Sequence, residues 1–572
     1  MALGFFLRFR IALPPSPKVV WGETMRNRLG IAALALCAAL GHFPAAAQDI
    51  VLFNGKIVTV DDRFTIAQAV AIKGQRIVAV GKNAEVLKLK DTGTKMIDLR
   101  RRTVIPGLID NHAHFIRAPE HDELRFDGVT SRKQALAMLA ERVRAARPGE
   151  WIVTLGGWSE EQFIDDSRGF SREELDRIAP ANPVVLQAIY DHSQLNSAAL
   201  KAAGIDANTP DPRGGKIEKD ATGQPSGLVR NASGVALVAS KIPLPDDEQW
   251  LANIRKLVAG LNAMGVTAWY DAGGRGVSAK HYERYRALAE RGELDARAFW
   301  TTIRQPATPE QVDKVLAEIA EQKPFQGSDY FDNIGWGESV YLPATTSLLR
   351  PGFDAKPEDM REVRRIAQAV AGRGMMLNAH AEMTPAIDAY LEQYEAINKE
   401  NPIKGLRWVF SHLDQVSDAQ LERMKRLDIY AGLHSRPLIQ GPLMHKAHGE
   451  RAWDMPPFRR VQASGIVWGL GSDATAVTPS NPFYTLGFAV TGRMIGGRKV
   501  NRQTIAREEA LIAHTRSNAW FIFQESNLGS IQPGKYADLV VLDGDYLTVP
   551  AEQIKDIRPV MTIVGGKIVH QR

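Results

Sequence analysis

The sequence predicts an α/β fold: a (β/α)8 barrel with a small β-sandwich domain formed from both chain ends and an inserted lobe. Three observations predict it. Strand-like and helix-like segments alternate from about residue 105 to about residue 529, which calls for a parallel sheet with helical crossovers. Four strand-like runs end in metal-binding side chains: His112 and His114, His380, His412, and Asp473. A barrel assembles its active site from such C-terminal strand ends. Short strands with turn signals occupy residues 48–104 and 530–572.

Residues 1–47 read as a cleaved export signal. Met25-Arg26-Asn27-Arg28 is basic, residues 29–40 form an apolar run, and Pro44-Ala45-Ala46-Ala47 is a small-residue cleavage site. The apolar run is short for spanning a bilayer, so no stable membrane insertion is expected after cleavage near Gln48. The destination is a bacterial periplasm or the medium. Both Met1 and Met25 serve as candidate starts. The one cysteine, Cys37, lies inside this segment and follows the large Leu36, which argues against a lipoprotein signal. The mature chain therefore lacks a thiol nucleophile, a disulfide and a cysteine-ligated zinc. The segment carries +4 of the formal net charge of +6. The remainder gives no argument for a nucleic-acid partner.

Residues 50–53, 56–60, 69–72 and 76–80 read as strands, with Asn54-Gly55 and Lys73-Gly74 as turns. Residues 537–542, 561–564 and 567–569 give more, so the two ends make one β-domain around an inserted barrel. Residues 131–147 are helical and stop at Pro148-Gly149. Residues about 150–245 exceed one barrel unit and are read as the inserted lobe. Helix 250–264 then leads to strand 266–271, and strand 297–303 follows. Helices 309–322, 358–373 and 417–426 precede the strands of Glu338, of His380, and of residues 429–434. This count puts His112 and His114 on the first strand, Glu338 on the fourth, His380 on the fifth, His412 on the sixth and Asp473 on the eighth.

On a strand, residues two apart face the same way, so His112 and His114 project side by side. With His380, His412 and Asp473 they bring four imidazoles and one carboxylate to one rim. That donor set suits a divalent metal, zinc first, with iron, manganese, cobalt or nickel as alternatives.

The run Pro106-Gly107-Leu108-Ile109-Asp110-Asn111-His112-Ala113-His114 resembles the metal signature of the amidohydrolase superfamily. The stretch 529–542 resembles the strand that rejoins that superfamily's small β-domain. Asp191-His192-Ser193-Gln194-Leu195-Asn196 and Gly223-Gln224-Pro225-Ser226-Gly227-Leu228 resemble segments of its N-substituted-formamide-deformylase-like branch. The resemblance covers roughly residues 50–572. It implies that His112 and His114 hold the more buried metal and that His380 and His412 hold the more exposed one. Asp473 then binds metal and shuttles protons. Many members bridge two metals with a carboxylated lysine on the fourth strand. The matching segment, residues 333–341, has no lysine. Glu338 is the natural substitute, with a rim glutamate paired to an arginine as the other reading. One or two ions follow accordingly.

A bound metal lowers the pKa of water to about 7 in favourable zinc sites. The resemblance implies that Asp473 acts as general base and then general acid, with a ligand-only part as the other reading. His192 is a candidate to hydrogen-bond the substrate carbonyl or, alternatively, only orders its loop; His434 and Arg436 are candidates for the substrate side, with Arg436 suited to a substrate carboxylate or equally to a structural ion pair. Trp151, Trp158, Phe163 and Trp336 are either pocket wall or core. The expected activity is that of an exported, metal-dependent hydrolase attacking an amide-type C–N bond of a small organic molecule. Esters, lactones, carbamates and deamination are alternatives for the same site. A non-catalytic metal-binding protein is the alternative of another class. Oligomeric state is left open.

Overall fold

The computed structural model describes residues 49–572 except 275, 350, 351 and 355. The expected signal segment therefore lies outside the described residues. Among those described, no helix is long and apolar enough to cross a membrane.

Eight parallel strands form the barrel in chain order: β1 (Leu108–Ala113), β2 (Val266–Asp271), β3 (Arg297–Thr302), β4 (Phe331–Trp336), β5 (Met376–Ala381), β6 (Val409–His412), β7 (Tyr430–His434) and β8 (Trp468–Gly471). The predicted α/β barrel is thus present, with strand numbering as expected. Strand burial is nearly complete, as both faces of a barrel strand are covered. Closure between β8 and β1 is made just past the strand ends. Asp473 N–H donates to the His112 carbonyl at 2.9 Å, and Ala113 pairs with Ala474. Asp110 stitches the same seam. Its Oδ1 accepts from the backbone N–H of His112 and of Ser472, and its Oδ2 accepts from the Ser472 hydroxyl at 2.6 Å.

The crossover helices begin where side chains cap them. Asp246 caps Asp247–Ala263, Thr308 caps Pro309–Glu321 with proline in the first turn, and Ser417 with Gln420 forms a capping box for Asp418–Leu427. Each buries an apolar stripe against the strands, such as Val312, Val315 and Ile319.

Two further sheets join the chain ends. One has the order Arg76–Gly81, Ala69–Lys73, Ile50–Phe53, Lys95–Asp98. The other places Leu539–Leu542 antiparallel to Thr103–Pro106, with Pro559–Val564 and Lys567–Gln571 beyond. Ile50, Leu52 and Val70 of the first share one buried cluster with Val104, Leu539 and Ile563 of the second. Face-to-face sheets with an apolar interior make a sandwich.

A buried ion pair fastens this domain to the barrel. Arg297 at the start of β3 donates to both Asp538 oxygens, at 2.9 and 3.1 Å, with its side chain wholly inaccessible. Asp538 also accepts from the Gly565 N–H. Removing one partner strands the other charge, so Asp538→Ala is expected to cost about 3–5 kcal/mol. The change lies at the N-terminal end of the strands, away from the metal-binding rim. Denaturant unfolding should show the loss, and turnover of the folded fraction should not change.

Between β1 and β2 stands the inserted lobe. Its sheet has the order Lys216–Lys219, Pro225–Arg230, His192–Leu195, Val184–Ala188, Ile152–Leu155. Its core takes in Phe126, Val129 and Leu139 as well as Trp158, Phe163 and Phe170. The lobe therefore reaches back before residue 150, because the helix Arg132–Ala145 buries its apolar face there. Trp158 and Phe163 are core of the lobe, and Trp336 is core of the barrel.

Candidate metal centre

Six side chains meet at the C-terminal rim. One oxygen, Glu338 Oε1, lies 2.9 Å from His380 Nδ1, 2.9 Å from His412 Nε2 and 3.5 Å from His112 Nε2. One oxygen of Asp473, Oδ1, lies 3.2 Å from His114 Nε2 and 3.9 Å from His112 Nε2. His112 Nε2 stands between the two carboxylates, buried and without a hydrogen-bond partner. A tetrahedral ion with bonds of about 2.0–2.1 Å holds its ligand atoms roughly 3.3 Å apart. The donors present fit such an ion, and Glu338 stands where it can face two.

Local structure explains why these atoms converge. Glu338 lies two residues beyond β4, after Gly337, whose φ is +123°. A Cβ on Gly337 would stand 2.1 Å from the Asn378 carbonyl, so only glycine lets the chain pass β5 there. Gly471 has the same role before Asp473, since a Cβ would stand 2.1 Å from Asn111 Oδ1. His412 and Asp473 themselves have left-handed backbone, φ +85° and +64°. Such residues cost of order 1–3 kcal/mol and gather at functional sites.

The ring orientations are set from behind. His112 Nδ1 bonds the Ser411 hydroxyl at 3.2 Å, and that hydroxyl donates to Asn378 Oδ1 at 2.8 Å. Asn378 donates in turn to the Tyr270 hydroxyl at 2.9 Å. His114 Nδ1 bonds the Gly273 carbonyl at 2.8 Å, leaving Nε2 for the site. A second nitrogen so engaged fixes which one is offered to a metal.

The charges are unevenly matched. Glu382, Asp414 and Asp473 are buried around the single guanidinium of Arg436, and Glu338 is buried among His112, His380 and His412. Burial pushes the Asp473 carboxyl up, but Arg436, the bond from His114 and the charge of His112 outweigh it and hold it far below its ordinary value. Burial likewise lowers His114 and His380, yet their carboxylate neighbours raise both to about 10. His112, dominated by burial, falls to about 4. Burial lifts Asp414 to about 7. Without metal, protons on His114 and His380 balance the carboxylates.

Metal must displace those protons. Below pH of about 10 both rings are cationic in the metal-free chain, so affinity rises with pH. Loading at pH 8 should release at least about two protons per chain, one from each ring, with any proton lost by metal-bound water in addition. Titration in weak buffer, followed with a pH indicator, measures this.

The other expected site residues are placed differently. His192 stands in the lobe with both ring nitrogens engaged, Nδ1 by Asp191 at 3.0 Å and Nε2 by Glu160 at 2.9 Å. The expected substrate-facing, catalytic part for His192 is therefore set aside. His434 is buried, with Nδ1 2.7 Å from His412 Nδ1 and Nε2 without a hydrogen-bond partner, close enough to His412 and Asp473 to share an ion with them. Arg436 is an internal ion-pair hub: it donates to Glu382, and to Asp473 at 2.9 Å. It has no donor set apart for a substrate carboxylate.

Glu382 and Asp414 escaped the sequence reading. Each lies two residues past a candidate ligand, His380 or His412, so the alternation that paired His112 with His114 marks them too.

A family model described as the amidohydrolase family matches residues 95–570. The chain belongs to the amidohydrolase family. Among curated relatives it is 28% identical to the N-substituted formamide deformylase of Arthrobacter pascens, covering 92% of this chain and 99% of that one. It is 27% identical to the protein LONG AFTER FAR-RED 3 of Arabidopsis thaliana, covering 91% of each. An uncharacterized metal-dependent hydrolase from Pyrococcus horikoshii superimposes with a TM-score of 0.62 at 20% identity, covering 88% of this chain and 99% of that one. That likeness shows a shared fold.

Proposed function

We propose that this amidohydrolase is an exported metal-dependent enzyme that hydrolyses an amide-type C–N bond in a small organic substrate. The observation that carries it is the buried, unpartnered His112 Nε2, set between Glu338 and Asp473 with His114, His380 and His412 around them. A buried ring nitrogen without a partner, set between two carboxylates, is the place a cation would complete. The signal in residues 25–47 supports export, and the donor set supports zinc.

When bound, a divalent ion there supplies Lewis acidity, making water more acidic and a carbonyl more electrophilic. His112, His114 and Asp473 would hold one ion, and His380 and His412 a second, with Glu338 between. Arg436 grips Asp473 Oδ2 and so turns Oδ1 toward His112 and His114. Asp473 takes a proton as water adds to the carbonyl carbon, then gives it to the nitrogen as the C–N bond breaks. Carboxylic acid and amine result.

Stripping the purified chain with a chelator should abolish hydrolysis of N-formyl and N-acetyl amines, and zinc or manganese should restore it. An amide-hydrolysing preparation indifferent to chelation would refute the metal-dependent reading. A metal-loaded chain inert toward the whole amide series would refute the amide assignment.

A further inference from the structure

Asp271 is the last residue of β2 and is wholly inaccessible. It stands at the C-terminal rim, one strand over from His112 and His114. The proposed reaction gives it no part. Its two oxygens are nevertheless taken by two specific donors. Oδ2 accepts from the backbone N–H of Ile116 at 2.7 Å, and Oδ1 accepts from that of Gly273 at 2.9 Å.

Both donors bear on one candidate ligand. Ile116 lies two residues past His114 on the same connection. Gly273 is the residue whose carbonyl bonds His114 Nδ1 at 2.8 Å. One carboxylate therefore ties down the backbone that carries His114 and the peptide that aims its ring. The ladder between the strands runs up to the same point, where the Ala272 N–H donates to the Ala113 carbonyl at 2.9 Å. Gly273 itself has left-handed backbone, φ +80°, and a Cβ there would stand 2.4 Å from Ile303 Cγ2. The turn that presents its carbonyl to His114 is thus open only to glycine.

A carboxylate suits this place because both donors are backbone N–H groups. It offers acceptors on both oxygens and no donor. Asparagine has the same shape but one oxygen and one NH₂ group. Whichever way its amide turns, one buried N–H then meets another.

We infer that Asp271 is a positioning residue of the metal centre: through Ile116 and Gly273 it fixes where His114 presents Nε2. This role rests on the metal-dependent reading proposed above and adds to it a residue of β2, a strand that supplies none of the candidate ligands. Partners behind a ligating histidine typically change metal affinity by about 10–100-fold.

Zinc dissociation constants, measured by competition with a chelating dye, test this in four chains: wild type, Asp271→Asn, His114→Ala and the double variant. Asp271→Asn should weaken zinc binding by about 10–100-fold. In the His114→Ala background, where five ligand candidates remain, the same substitution should change it by less than about twofold, because the ring it positions is gone. A merely structural role gives equal weakening in both backgrounds. Asp538→Ala is the comparator. It breaks a buried carboxylate pair at the other end of the barrel and should lower the melting temperature without moving the zinc constant. Zinc affinity unchanged in folded Asp271→Asn overturns the assignment, and so do equal losses in the two backgrounds. Failure of Asp271→Asn to fold even in saturating zinc overturns it too, since Asp271 would then be a determinant of the fold. A wild-type chain that takes up no zinc is a separate result, which refutes the metal-dependent reading and the role of Asp271 with it. Zinc uptake by the wild type with no effect of Asp271→Asn removes the role of Asp271 alone.

Discussion

Asp473→Asn is expected to lower kcat by about 10²–10⁴-fold, the range for a lost general acid–base group. The substitution is otherwise mild. Asparagine tolerates the left-handed backbone at this position, φ +64°, better than most residues. Its single carbonyl oxygen can keep the place of Oδ1 toward His112 and His114, at the cost of the bond that Arg436 donates to Oδ2 at 2.9–3.0 Å. What it cannot do is take a proton from water and return it to nitrogen. Metal content, melting temperature and KM are therefore expected to change much less than kcat. A variant with wild-type kcat on a verified substrate, at full metal loading, would remove Asp473 from the proton path.

Glu338→Ala is expected to halve the metal content, from about two ions per chain to about one, with most turnover lost. A single oxygen of Glu338 lies within 2.9–3.5 Å of three imidazoles. Deleting it leaves His380 and His412 without their shared carboxylate, while His112, His114 and Asp473 keep theirs. Elemental analysis of chelex-treated and reloaded protein gives the count. One ion in both wild type and variant would make the centre mononuclear and give Glu338 a different part.

The barrel was readable because its signals are local. Strands end in polar residues that face the same way, and the helices between them carry their own caps, as Ser417 with Gln420 shows. The side chains around His112, His380, His412 and Asp473 were harder to read, because their partners are remote in sequence. Arg436 meets Glu382 across 54 positions and Asp473 across 37. A structural ion pair is one of the readings for Arg436, but nothing near residue 436 identifies its partners. His192 teaches the same lesson: its partner Glu160 lies 32 residues upstream on a different element. The lobe's early start at Phe126 was hidden because helix 132–145 looks the same whether it covers a barrel or a lobe.

The pairing of Thr103–Pro106 with Leu539–Leu542 has a consequence for biosynthesis. The ribosome makes the first partner more than 400 residues before the second. At about 5–20 residues per second, that strand waits roughly 20–90 s for its neighbour. Throughout that time its edge is open to other nascent chains. Early termination anywhere in the barrel would leave the edge uncovered for good, so prematurely released fragments are destined for aggregates or proteases rather than partial activity.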